Sequence, residues 1–148
     1  MIYETRPKDF KAEYEIAICF FDCKGEILLL QRQEWDTAPN EWCIPGGMLH
    51  ERESAHDAVI RETKEETNID LEKLEPKFLG KICIRNRNGS FISHIFSATL
   101  FQKPKVIINS EEHKAYKWTR PEDAHKMNLV LDGVETIQLY EEWSKQRE

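Results

Sequence analysis

The 148 residues carry 21 Lys and Arg against 27 Asp and Glu, a formal net charge of −6; this excludes the basic footprint of broad nucleic-acid binding and would repel a phosphorylated ligand unless cations intervene. A hydrophobic share of 40% beside 32% charged residues is that of a soluble chain long enough for a real core, and one domain over residues 1–148 is expected. The opening MIYETRPKDFKAEYE is charged and lacks the apolar core of a signal peptide, and no apolar run approaches a membrane span, so a cytoplasmic protein with no membrane partner is expected.

Residues 15–22 and 26–33 are apolar and β-rich, and the Cys23-Lys24-Gly25 break between them predicts a hairpin. In the second strand Leu28, Leu30 and Arg32 share one face and Ile27, Leu29 and Gln31 the other, which sets Arg32 at a strand end. Residues 34–41, EWDTAPNE, have the Pro, Asn and Asp of a loop. Trp35 in that loop is either a packed aromatic or a platform on which a base or sugar ring can stack. Cys19, Cys23, Cys43 and Cys83 form no CxxC pair and show no His spacing of the zinc kind, so free buried thiols in a reducing compartment are expected.

Residues 54–67 contain no Pro or Gly, and Ser54 with Asp57 fits the Ser-x-x-acid start of a helix. At about 100° per residue Ala55, Ala58 and Val59 fall on one side, the side that faces a core. Glu62, Glu65 and Glu66 fall there too, as i,i+3 and i,i+4 neighbours that repel one another where apolar residues belong. Protonation, basic partners or a bound cation would offset that cost, and hard divalent ions take oxygen ligands of this kind. A solvated acidic face is the bland alternative.

The wider spacing favours the cation. From Gly47 the chain runs five residues to Glu53, then seven to Arg61, Glu62, Thr63, Lys64, Glu65, Glu66, Thr67, Asn68 and Ile69. This resembles the Nudix box, G-x5-E-x7-R-E-U-x-E-E-x-G-U with U apolar, and matches it at Gly47, Glu53, Arg61, Glu62, Glu65, Glu66 and Ile69. Thr63 replaces an apolar residue, with a methyl group that can pack and a hydroxyl that can bond back to the helix. Asn68 replaces the helix-ending Gly, where a left-handed backbone is needed and Asn is the next most tolerant residue. Arg52 sits where many members have Gly. The lead-in Trp42-x-x-Pro45-Gly46-Gly47 is also frequent among Nudix proteins.

Beyond the box, residues 71–76 read as a loop, and 77–87 and 90–101 as strands joined at Asn88-Gly89, a hairpin signal. Lys81, Arg85 and Arg87 share a parity, a basic row facing either a diphosphate or solvent. His94 in the partner strand is expected to be a structural hydrogen-bonder. A short strand is expected at 105–108, followed by Glu111 and Glu112 in a loop. Glu112, Trp118, Pro121, Glu122 and Ala124 resemble the family's E-x5-W-x-x-P-E-x-A ending. Val130, Val134, Ile137 and Tyr140 stand at helical spacing and predict a closing amphipathic helix over 129–143.

Alternating strands with two helices make an α/β domain with a mixed sheet, which the resemblance sharpens to a Nudix-type α/β/α sandwich. The resemblance further implies divalent-metal-dependent hydrolysis of a diphosphate linkage in a nucleoside diphosphate-linked compound, with Mg2+ or Mn2+ as cofactor and a small phosphorylated molecule, a nucleotide, as partner. Carried onto this chain, the metal set is Glu62, Glu65, Glu66, the Gly47 carbonyl and Glu53, the last either structural or a water-mediated ligand. The catalytic set is Glu62, Glu65, Glu66, Arg61 in an orienting role and Glu112, with Glu111 as its alternate; the general base stays open among Glu65, Glu66, Glu112 or none of them. Arg32, Arg85 and Arg87 are the phosphate-binding candidates and Trp35 the ring-stacking one. Two rivals stand beside this reading. A nucleotide sensor without hydrolysis is opposed by the intact Glu62, Glu65 and Glu66, and a diphosphate isomerase would need a Cys and His such as Cys83 and His94. The oligomeric state is left open, a homodimer included.

Overall fold

A computed structural model describes residues 1–146. Among them, in chain order, lie β1 (Ile2–Tyr3), β2 (Tyr14–Cys23), β3 (Glu26–Arg32), β4 (Trp42–Cys43), β5 (Gly46–Met48), α1 (Ala55–Thr67), β6 (Lys77–Asn86), β7 (Gly89–Leu100), β8 (His113–Thr119), α2 (Pro121–Ala124) and α3 (Gly133–Gln146). The strands form one mixed sheet in the order β1-β6-β7-β2-β3-β4, with β5 on β2 and β8 on β3. Among the described strand pairs only the central β2–β7 pair is parallel, in register from Tyr14 with Phe91 to Cys23 with Leu100.

Strand alternation sends the apolar residues of β2 and β3 to two separate cores. Cys19, Phe21, Leu28 and Leu30 meet Ala58 and Val59 of α1 on one face. Phe20, Ile27 and Leu29 meet Ala124, Ile137 and Tyr140 of α2 and α3 on the other. The result is a three-layer α/β/α arrangement, and both central strands are apolar along most of their length because both of their faces are covered.

The feature that makes room for a site is the divergence of β2 and β3. A two-residue turn with Lys24 at φ 54° and Gly25 at φ 88° joins them, the left-handed pair that suits a twisted hairpin. They pair only at Asp22 with Ile27 and Cys23 with Glu26, then separate. Into the gap comes the returning chain, with β4 on β3 and β5 on β2, Ile16 opposite Met48 and Ile18 opposite Gly46. Gly46 sits at φ 151°, and a Cβ there would strike the carbonyl oxygen of Ala17 and the Cα of Ile18, so only glycine can run this close to β2.

Four expectations are revised. Residues 71–76 hold a 3-10 turn, Leu71–Leu74, closed by Glu75 at φ 52°. Residues 105–108 form no strand: Val106 is buried, and Ile107 N–H donates to Thr67 O at 3.0 Å, docking the segment on the end of α1. The closing helix starts at Gly133 rather than 129, because Trp42 N–H donates to Asn128 O at 2.8 Å and Val130 N–H to Trp42 O at 3.0 Å, holding this stretch extended against β4. The β6–β7 turn is Arg87-Asn88, with Gly89 at φ 114° opening β7. Among the described residues no helix is long and apolar enough to cross a membrane.

Candidate active site

Helix α1 is built to present its C-terminal half to the β5 strand. Ser54 caps it, its Oγ accepting from Asp57 N–H at 3.0 Å, and Asn68 ends it at φ 63° with its N–H donating to Lys64 O. The substituted Thr63 is fully buried and its hydroxyl donates to Val59 O at 2.7 Å, so the methyl packs while the polar atom is satisfied within the helix. Arg52 occupies the left-handed region at φ 65°, a strained place for a side chain.

Along the face turned to β5, Glu62 lies against Gly47, where a Cβ would come within 2.5 Å of the Glu62 carboxylate. One turn on, Glu66 is 6% exposed and its Oε1 accepts from Gly46 N–H at 2.7 Å. Burial holds the Glu66 carboxyl well above the usual carboxylate range, and the charges of Glu112 and Glu62 push the same way, while the Gly46 bond and Arg32 oppose them. Glu65, at 54% exposure, stays at the solvent rim.

Arg61 binds the acids into one frame. Its Nε and Nη2 donate to the two oxygens of Glu53 at 2.9 and 2.8 Å, a bidentate pair, while Nη1 reaches Glu62 Oε1 at 2.8 Å and Nη2 also donates to Met48 O at 3.1 Å. Arg61 Nη1 lies 3.6 Å from Glu65 Oε1 as well. The guanidinium bonds, together with the His50 N–H, hold the Glu53 carboxyl down to about 2. Glu53 therefore faces Arg61 rather than Glu66. Of the three remedies for like charges on α1, this structure contains two: a basic partner for Glu62 and a raised protonation range for Glu66.

The other wall comes from β3 and the loop before β8. A register shift between Gln31 and Arg32 sets Arg32 opposite His113, and such irregularities re-aim side chains beside functional sites. Arg32 donates to Asp36 Oδ1 at 3.2 Å. Gln33 N–H donates to Glu112 O, and the Gln33 side chain to Ser110 O, at 3.1 and 2.7 Å. Trp35, 71% exposed, donates its indole N–H to Glu111 O at 3.1 Å. The two loops are thus laced together, with Glu112 between them. Burial raises the Glu112 carboxyl, and Glu62, Glu65 and Glu111 add to the rise. Glu66, Glu112 and His113 each offer one ligand atom, all within 4.8 Å of one another.

His113 and the nearby Cys43 are the residues that sequence reasoning missed here. His113 Nε2 lies 3.7 Å from Cys43 Sγ and 3.9 Å from Glu66 Oε2. Burial, reinforced by the Arg32 charge, lowers its pKa to about 4, so the ring is neutral at neutral pH. The Cys43 thiol is pushed up to about 12 by burial. Only the position of His113 beside Glu112 hinted at it; its partners come from β4 and α1, which no local pattern reveals.

Arg85 and Arg87 do not join this group. Arg85 lies over the rings of Tyr3 and Phe10 at 5.8 and 5.5 Å and 3.7 Å from Asp9, and Arg87 lies in the exposed turn. The expected basic row is therefore broken, with Arg85 tying down the N-terminal segment. His94 Nε2 pairs with Glu15 Oε1 at 2.7 Å, and Cys83 is buried with Phe10 and Ile92.

The donor set of Glu66, Glu112 and His113, with Glu62 beside it against Gly47, fits a divalent cation: rich in carboxylate oxygens, partly buried and bordered by a glycine with no side chain. A family model described as NUDIX domain matches residues 13–140. A curated relative from Caenorhabditis elegans, bis(5'-nucleosyl)-tetraphosphatase [asymmetrical], is 33% identical over 105 residues, covering 70% of this chain and 74% of that protein. The MutT protein from Methanosarcina mazei Go1 has a similar fold, with a TM-score of 0.75 at 23% identity over 93% of this chain and 97% of that one. A bifunctional NMN adenylyltransferase/ADP ribose pyrophosphatase from Francisella tularensis, solved with AMP and a Mn ion, is 27% identical with a TM-score of 0.71, over 91% of this chain and 43% of that one.

Proposed function

This chain belongs to the NUDIX domain family of hydrolases, and on that premise we propose that it hydrolyses a diphosphate linkage in a nucleoside diphosphate-linked compound with the help of Mg2+ or Mn2+. The observation that carries the reading is the convergence of buried Glu66 with Glu62, Glu112 and His113 around the Gly46-Gly47 strand. The activities of the Caenorhabditis and Francisella relatives support a nucleotide substrate, and the Mn ion and AMP bound to the latter support a cation and an adenylate-bearing ligand. The free buried thiols support a reducing compartment, the cytoplasm.

When bound, the cation supplies Lewis-acid polarisation of the phosphate oxygens and lowers the pKa of water. The chain's own groups do the rest. Glu62, Glu65 and Glu66 provide carboxylate oxygens, and the Glu53–Arg61 pair fixes where Glu62 points. Arg32, half-buried beside Glu66 and His113, is the fixed positive charge for a phosphate of the substrate. Exposed Trp35 offers a face to a base. Glu112, in the laced loop within 4.8 Å of Glu66 and His113, adds a further carboxylate oxygen to the set that would hold the cation.

The test is release of phosphate or pyrophosphate from a panel of nucleoside triphosphates, nucleotide sugars and dinucleoside polyphosphates, with and without the cation. Turnover is expected only with cation, and Glu65→Gln or Glu66→Gln is expected to reduce it by on the order of a hundredfold or more. Cation-dependent binding of a nucleotide with no product would favour the sensor reading instead. The isomerase reading has no support from Cys83 and His94, which form no hydrogen bond to each other.

A further inference from the structure

His113 sets this site apart from an all-oxygen one. It is 4% exposed, at the first position of β8, and its Nδ1 has no hydrogen-bond partner among the described residues. Nε2 faces Cys43 Sγ at 3.7 Å and Glu66 Oε2 at 3.9 Å, the latter too long for a hydrogen bond. An unpartnered buried Nδ1 is unusual, since buried polar groups are nearly always satisfied, and Nε2 has only the weak Cys43 thiol contact as a partner. The 3.9 Å gap does suit another arrangement, because two metal–ligand bonds of about 2.1 Å can span it at an open angle. Glu112 completes the triangle, within 4.8 Å of both.

The geometry points to a cation subsite formed by His113 Nε2 with Glu66 and Glu112, which makes this chain favour Mn2+-type first-row ions over Mg2+. The inference rests on the cation-dependent reading above. Imidazole nitrogen is a good ligand for first-row transition ions, whereas Mg2+ prefers carboxylate, carbonyl and water oxygens. One nitrogen donor therefore changes the preference between the two ions without changing the charge of the site. Cys43 Sγ lies beside the same nitrogen at 3.7 Å, on the site side of the ring.

Two measurements on the full chain decide it. Calorimetric titration of chelator-treated protein with Mn2+ and separately with Mg2+ should show, for both His113→Gln and His113→Asn, Mn2+ affinity lower by at least about tenfold with Mg2+ affinity within about threefold. A ring that only fills space would shift both ions together, and an unchanged Mn2+ to Mg2+ ratio in folded variants overturns the proposal. Pulsed electron paramagnetic resonance of the Mn2+-loaded parent should show nitrogen modulation from a bound imidazole. Should the His113 variants fail to fold, a His50→Gln/His56→Gln double variant, which removes exposed imidazoles near α1, should keep that modulation; its loss there overturns the proposal. Mn2+ binding without nitrogen modulation sinks this inference alone, whereas a parent that binds neither ion sinks the cation-dependent reading with it.

Discussion

At the scale of single residues, Glu66 and His113 are buried groups whose preferences tilt stability in opposite directions. Glu66 keeps its proton to higher pH in the folded state than in the unfolded chain, so the metal-free protein loses stability as pH rises from the ordinary carboxylate range through the folded value. Glu66→Gln retains an acceptor for Gly46 N–H and carries no charge. In chelator it should melt higher than the parent at pH 8, with the gap closing toward pH 4, in scanning calorimetry; a parent that melts higher at pH 8 would contradict the assignment. His113 works the other way. Its folded pKa of about 4 lies below the ordinary 6.5, so stability present above 6.5 is lost as pH falls toward 4, by roughly 3 kcal/mol. His113→Gln should flatten that limb of the metal-free stability curve. Arg61 differs from both, acting through shape. Arg61→Lys keeps the charge but not the fork that holds Glu53, Glu62 and Met48 O together, so turnover should fall at least about tenfold while the melting temperature moves little. The Glu53 carboxyl should rise from about 2 at the same time, visible by carboxyl NMR titration.

At the scale of elements, α1 shows which parts of a fold are written locally. Its start at Ser54, its end at Asn68 and the packing of Thr63 are all decided by residues within a turn of one another, and they were legible. Ser54→Ala should cost about 1 kcal/mol in urea denaturation. Arg52→Gly should do the reverse, adding roughly 1 kcal/mol, because Arg52 stands at φ 65° where glycine rests without strain. The illegible elements were those governed by distant partners. Residues 105–108 are β-rich in composition but found the end of α1 instead of a strand edge. Residues 129 and 130 fell within the helix expected over 129–143, yet this stretch is held extended by Trp42. His113 follows the same rule: that Glu112 stands beside Glu111 was plain from the chain, whereas its neighbour's burial beside Cys43 and Glu66 required the β3–β8 register. Arg85, a phosphate-binding candidate whose strand parity left a diphosphate or solvent open, lies over Tyr3 and Phe10, residues no pattern on β6 could announce.

At the scale of the whole molecule, the sheet divides labour between its faces. The acidic site lies with α1 on one side; on the other, Tyr140 stacks on Phe20 at 4.1 Å and donates to Asp22 Oδ2 at 3.0 Å. Tyr140→Phe keeps the ring and loses the charge-assisted bond, so it should cost about 1 to 2 kcal/mol of stability and leave turnover within about twofold. A large drop in turnover at full folding would mean that the two faces communicate. The parallel pairing of β2 with β7 has a temporal consequence. During synthesis β2 is made early but its parallel neighbour arrives only with residues 91–100, so the centre of the sheet stays unpaired until most of the chain has left the ribosome. Closing so long a loop is entropically slow. The nascent protein passes through a stage in which an apolar strand has one edge open. Glu112 and His113 are translated later still, so the acids and imidazole that could hold a cation are not all present while this edge of the sheet's central strand is open.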